Sequence, residues 1–66
     1  MELPELWSIW KHKKGKLYQV RGYTNLATTN PSMYPKTVVY ECVEFGKAWS
    51  RSVDNWHGSM TLVEAE

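Results

Sequence analysis

Five side chains in this chain of 66 residues have types that could do chemistry together: His12, Tyr18, Tyr40, Trp49 and Arg51. A guanidinium and an imidazole offer donors to a phosphate or carboxylate, while the rings offer flat faces on which a base or other planar group stacks. On a common face they would line a pocket or surface for a small anionic or aromatic ligand. A second set, Lys13, Lys14 and Lys16 with Tyr34 and Trp56, has the composition of a protein or nucleic-acid contact surface. There, cations follow a charged partner and aromatics anchor or stack.

Other chemistries find less support. His12 and His57 lack Cys or carboxylate companions at ligand spacing, so no metal is expected, nor any other cofactor. Cys42 stands alone in an apolar, β-branched stretch with no base nearby in sequence, and the Ser and Thr residues gather mostly in loops. No catalytic residue is assigned, and the chain is expected not to be an enzyme.

The five residues reach one face only if strands carry them there. Trp10 to Val20 reads as a hairpin, with polar/apolar alternation on either side of Lys14-Gly15 and a glycine able to supply the positive φ of a tight turn. Trp7 to Lys13 is the first strand, with Trp10 and His12 on one side. Leu17 to Tyr23 is the second, with Tyr18 and Val20 together opposite Gln19 and Arg21. Thr24 to Lys36 is a long loop, where Asn30-Pro31 and Tyr34-Pro35 force the preceding residues out of helical geometry. Thr37 to Phe45 is rich in β-branched and aromatic residues and reads as a central strand.

Ala48 to Val53 is the fourth strand, with Trp49, Arg51 and Val53 on one side and Ala48, Ser50 and Ser52 on the other. Asp54 to Gly58 predicts a single capped helical turn, with Asp54 as the cap and Gly58 as a left-handed exit. Met60 to Val63 is a last short strand. Residues 1–6 are a lead-in, with Leu3 and Leu6 available to cover one end, and residues 64–66 a frayed tail. The sum is a single all-β domain over 1–66, a five-stranded antiparallel SH3-like barrel with one long loop and one helical turn before the last strand. An OB-like Greek-key barrel is the other candidate, although it usually needs longer strands and a helix between strands three and four.

At this length the core is small. Four Trp, four Tyr and one Phe, each able to bury about 150–250 Å², exceed what it needs, so some should stay on the surface; Trp7, Tyr23, Tyr34 and Trp56 are the candidates. Charge is segregated. The net value is +1, yet from Leu6 to Tyr40 there are six basic residues and no acid, whereas from Glu41 onward five acids face Lys47 and Arg51. Such polarity steers a polyanion toward one end. A lone cysteine, with no apolar run of membrane-spanning length, leads to the expectation of a cytoplasmic protein without membrane contact.

The residues resemble a short bacterial and phage domain family of unknown function. Its members read aromatic-basic-His-x-Lys-Gly-x-x-Tyr-x-Val, then Val-Val-Tyr, then Trp-x-Arg. Trp10, Lys11, His12, Lys14, Gly15, Tyr18 and Val20 carry the first block, Val38, Val39 and Tyr40 the second, Trp49 and Arg51 the third. The chain departs from that pattern at Ala27-Thr28-Thr29, where the family has Ser-Glu-Thr, at Ser52, where it has Pro, and at Trp56, near which it has Phe. The resemblance implies the fold and no activity. The functional expectation is therefore a non-catalytic binding module for a small anionic or aromatic ligand. The alternatives are a phage-type accessory protein docking on a host protein, and a single-stranded nucleic-acid binder.

Overall fold

Alternation and turn chemistry set the sheet, and the computed structural model, which describes residues 2–65, shows how. The strands are β1 (Ile9–His12), β2 (Leu17–Thr24), β3 (Thr37–Cys42), β4 (Ala48–Ser52) and β5 (Met60–Glu64), with a short helix α1 (Val53–Ser59) between β4 and β5. All pairings are antiparallel in one sheet of order β4-β3-β2-β1-β5. β4 and β5 are its two edges.

The hairpin forms where expected. Gly15 sits at φ 107°, a conformation a side chain would strain, and its amide donates to the His12 carbonyl at 2.7 Å. A second tight turn ends β3 at Cys42, earlier than the expected Phe45. There Gly46 adopts φ 68° and donates to the Cys42 carbonyl at 2.9 Å, leaving Val43 and Phe45 on the exposed turn.

Directly opposed residues share a face, so register decides which side chains meet. Trp10 opposes Tyr18, Tyr18 opposes Cys42, Val20 opposes Tyr40, Tyr40 opposes Trp49 and Val38 opposes Arg51. One face thus carries Trp10, His12, Tyr18, Val20, Val38, Tyr40, Cys42, Trp49 and Arg51. Between Val20 and Gly22 the β2–β3 register shifts, so that Tyr23, rather than Gly22, lies opposite Val38. A bulge inserts one residue and reverses the parity beyond it. Tyr23 is half-buried in consequence, packed on the core with its hydroxyl donating to the Pro4 carbonyl at 2.6 Å, and it is not the exposed ring expected.

A second irregularity precedes β1. The Trp7 amide donates to the Val20 carbonyl at 2.9 Å, and the Val20 amide to the Ser8 carbonyl at 3.0 Å, with Trp7 at φ 70°. This is the bonding of a bulge whose first residue is ordinarily glycine. A tryptophan there stores strain of about 1–3 kcal/mol. The Gln19 amide donates to the Trp7 carbonyl at 3.1 Å, and the Arg21 guanidinium lies 4.8 Å from the Trp7 ring, which remains 41% exposed.

The helical segment is longer than one turn, and its cap differs from the expected one. Ser52 is the N-cap, its hydroxyl accepting from the Asn55 amide, while Asp54 sits in the first turn, favourably placed for the helix dipole. Gly58 is not at positive φ. The chain leaves the helix through extended Met60, whose amide donates to the Trp56 carbonyl. Val53, Trp56 and Met60, spaced i, i+3 and i+7, form the inward stripe of this segment.

Trp56 is fully buried, which corrects its expected place on a contact surface. Its ring meets Trp10 at 5.5 Å and Tyr40 at 5.0 Å, both edge to face, above Val20 and Val38. Its Nε1 finds no acceptor among the described residues, a cost of about 1–3 kcal/mol. Burying the indole gains about 4–6 kcal/mol, so the apolar term wins.

At the ends, β5 includes Glu64, which was expected in the frayed tail; Met1 and Glu66 lie outside the described residues. Residues 2–6 form neither strand nor helix, with Pro4 buried and Leu3 and Leu6 exposed, so proline rather than the leucines covers that end.

Trp56→Ala should cost about 3–5 kcal/mol, most of the stability of a domain this small, whereas Trp7→Gly should be neutral or stabilising because it relieves the positive φ. Urea unfolding of both variants checks this.

Candidate functional site

The shared face has two halves. Over one half lies α1, and Val53, Trp56 and Met60 seal it against Trp10, Val20, Val38 and Tyr40. The other half continues the row of rings past the core, and there the five residues singled out from the sequence come together. His12 comes from β1, Tyr18 from β2, Tyr40 from β3, and Trp49 and Arg51 from β4.

Tyr18 is the hub. Its ring lies 6.4 Å from His12, 5.2 Å from Tyr40 and 5.9 Å from Trp49, each time edge to face. Tyr40 and Trp49 are stacked at 6.4 Å with planes 25° apart. With Tyr40 stacked against it and Tyr18 edge to face, Trp49 is still 45% exposed. His12, Tyr18 and Arg51 are half-buried around it.

Arg51 Nε donates to the Tyr40 hydroxyl at 2.9 Å, Nη1 donates to Asn55 Oδ1 at 3.2 Å, and the guanidinium carbon lies 5.5 Å from the Tyr40 ring centroid. Both acceptors are neutral. The ion pair among the described residues is Arg21 with Glu41 at 3.4 Å, on the opposite face, because Glu41 opposes Gln19 and Ala48 rather than the Arg51 row. Arg51 makes no ion pair with a carboxylate among the described residues. Asn55 was missed at the sequence level, since it follows Arg51 by four residues across a strand-to-helix junction, where no single periodicity predicts contact.

His12 has a defined protonation state. Its Nδ1 accepts the Lys14 amide at 3.0 Å, so the neutral ring carries its proton on Nε2. Its pKa is lowered below 6.5, first by burial and then by the nearby charges of Arg51, Lys13 and Lys14. These three charges are all cations. Burial, with Cys42 and Tyr40 as lesser causes, raises the Tyr18 pKa and keeps that hydroxyl a proton donor.

Exposed Trp49 with half-buried His12, Tyr18 and Arg51 gives the expected pocket or surface the form of a partly exposed strip. Three clefts lie elsewhere: a 520 Å³ hollow between Asn25 and Tyr34 in the long loop, a 180 Å³ one by Pro35 and Val53, and a 460 Å³ one between the N-terminal segment and β5. None of them is lined by the five residues. Lys13 and Lys14 are exposed on the turn beside His12, whereas the Lys16 ammonium is 4.6 Å from the Phe45 ring and turned toward the β3–β4 connection. Tyr34 is exposed on the long loop and makes no ring contact with the strip. Trp56 belongs to the core, as described. His57 donates to the Glu2 carbonyl and packs on Trp10, separate from His12, and among the described residues no three His, Cys, Asp or Glu side chains gather. Cys42 is buried as a free thiol, and no helix among the described residues is long and apolar enough to cross a membrane.

The His12 geometry makes stability pH-dependent in a defined direction. Its contribution is fully present above pH 6.5, where folded and unfolded rings are both neutral. It falls as the pH drops toward the folded-state pKa, because in that window the unfolded chain takes up a proton that the folded ring resists. His12→Asn, whose side-chain oxygen can still accept the Lys14 amide, should flatten part of the decline between about pH 7 and 5; urea midpoints of both proteins across that range check it.

No protein-family model, curated protein or solved structure matches this chain.

Proposed function

We propose that the chain is an SH3-like barrel serving as a non-catalytic binding module, whose open strip takes a ligand combining a planar ring with negative charge. The fold reading is supported by the order β5-β1-β2-β3-β4, by the bulge that bends β2, and by a short helix joining the two edge strands. The functional reading is carried by one observation: Arg51 brings a positive charge, bonded among the described residues only to neutral partners, to the rim of an exposed indole. A structural arginine would be expected to meet a carboxylate, as Arg21 does.

The strip's chemistry is recognition rather than turnover. A neutral imidazole, two phenols and a guanidinium donate hydrogen bonds, and no nucleophile with an adjacent base stands among them. A lone thiol suits the cytoplasm. The resemblance noted in the sequence fits the arrangement, because the residues of its three blocks supply His12, Tyr18, Tyr40, Trp49 and Arg51.

Amide and indole NMR shifts should follow titration with adenosine monophosphate or an aromatic carboxylate, and should cluster at His12, Tyr18, Trp49 and Arg51. Arg51→Met should fold with a loss of no more than about 1–3 kcal/mol from two neutral hydrogen bonds, and should bind at least tenfold more weakly, about 1.4 kcal/mol. Shifts confined to the long loop or the N-terminal cleft would refute the assignment.

A further inference from the structure

We infer that the strip's ligand is a chain rather than a discrete molecule: single-stranded nucleic acid, with unpaired bases on Trp49, Tyr18 and His12 and phosphates at Lys13, Lys14 and Arg51. The inference rests on the reading of the strip as a ligand surface and specifies the ligand's class.

Openness is the first argument. A small molecule is ordinarily held in a cleft that covers most of its surface, and none of the three clefts contains the strip. The exposed part of Trp49 can cover at most one side of one ring. Contact of that kind holds a free molecule weakly, but a polymer repeats it, and stacking platforms for single strands are built this way.

Dimensions give the second. The rings come from β1, β2, β3 and β4, four neighbouring strands. At about 4.8 Å between strands the row spans roughly 14 Å, room for a short run of unstacked nucleotides along it. Charge gives the third. Exposed Lys13 and Lys14 follow β1 on the turn, and Arg51 stands on β4 at the other end of the row. A phosphate backbone crossing the row therefore meets cations at both ends.

Stacking also selects against duplex, whose bases have their faces covered by one another. The modest net charge of +1 makes the attraction local. With three cations engaged, the logarithm of the affinity should fall against the logarithm of salt with a slope of about −2.

The test measures fluorescence anisotropy of a labelled single-stranded oligonucleotide of about a dozen residues at about 50 mM salt. The same sequence as duplex, adenosine monophosphate as competitor, and an acidic peptide rich in Glu and Tyr run in parallel. The single strand is expected to bind at least tenfold more tightly than the others. Trp49→Ala and the double variant Lys13→Glu/Lys14→Glu should each weaken it at least tenfold; the latter, on an exposed turn, decides the matter if the former does not fold. Adenosine monophosphate shifting the strip while the oligonucleotide binds no more tightly would overturn the inference and leave the strip reading standing. Failure of every probe to shift the strip would end both. Equal binding of duplex would reduce the effect to charge, equal binding of the peptide would point to a protein partner, and oligonucleotide binding indifferent to the variants would place it elsewhere; each outcome overturns the inference.

Discussion

The seating of one indole organises the molecule. Trp56 reaches from α1 into the space between Trp10 and Tyr40, joining the last strand pair to the centre of the sheet. The sheet does not close on itself, so the apolar side of β3 and β2 would lie open without it. The unmatched Nε1 is the cost of that position, and the area covered outweighs it. Ser52 capping the helix, the inward turn of Val53 and the extended exit at Met60 all serve to hold this ring in place.

Core and site are continuous, and Tyr40 is where they meet. Its ring packs on Trp56 on one side and stacks with Trp49 on the other, while its hydroxyl holds Arg51. Tyr18 extends the row outward. A substitution at Tyr40 therefore disturbs the core and the strip together, whereas the exposed turn lysines can change with the core left intact. The strip is as rigid as the sheet beneath it, because each of its rings is fixed by a strand rather than by a loop.

Strand parity made most of this legible from the sequence. Alternation alone placed Trp10 with His12, Tyr18 with Val20, and Trp49 with Arg51, and the register confirms each pairing. Bulges defeated the same reasoning. The inserted residue in β2 turned Tyr23 inward, and the glycine-like conformation of Trp7 has no sequence signal at all. Trp56 was misplaced for a different reason: an excess of aromatics suggested exposure, although the Val53, Trp56, Met60 spacing carried the opposite message. The Asn55 contact and the openness of the strip belong to tertiary geometry, which local pattern does not encode.

Arg51 has one more consequence, which concerns self-association. β4 pairs with β3 alone, so its other side presents free backbone amides and carbonyls to any passing strand. Natural edge strands blunt that hazard with charges pointing toward the sheet's interior face. The guanidinium supplies such a charge near the C-terminal end of β4, where docking another sheet would force its desolvation. An apolar replacement could leave the fold intact and yet convert this edge into a template, so colloidal behaviour constrains the residue independently of anything it binds.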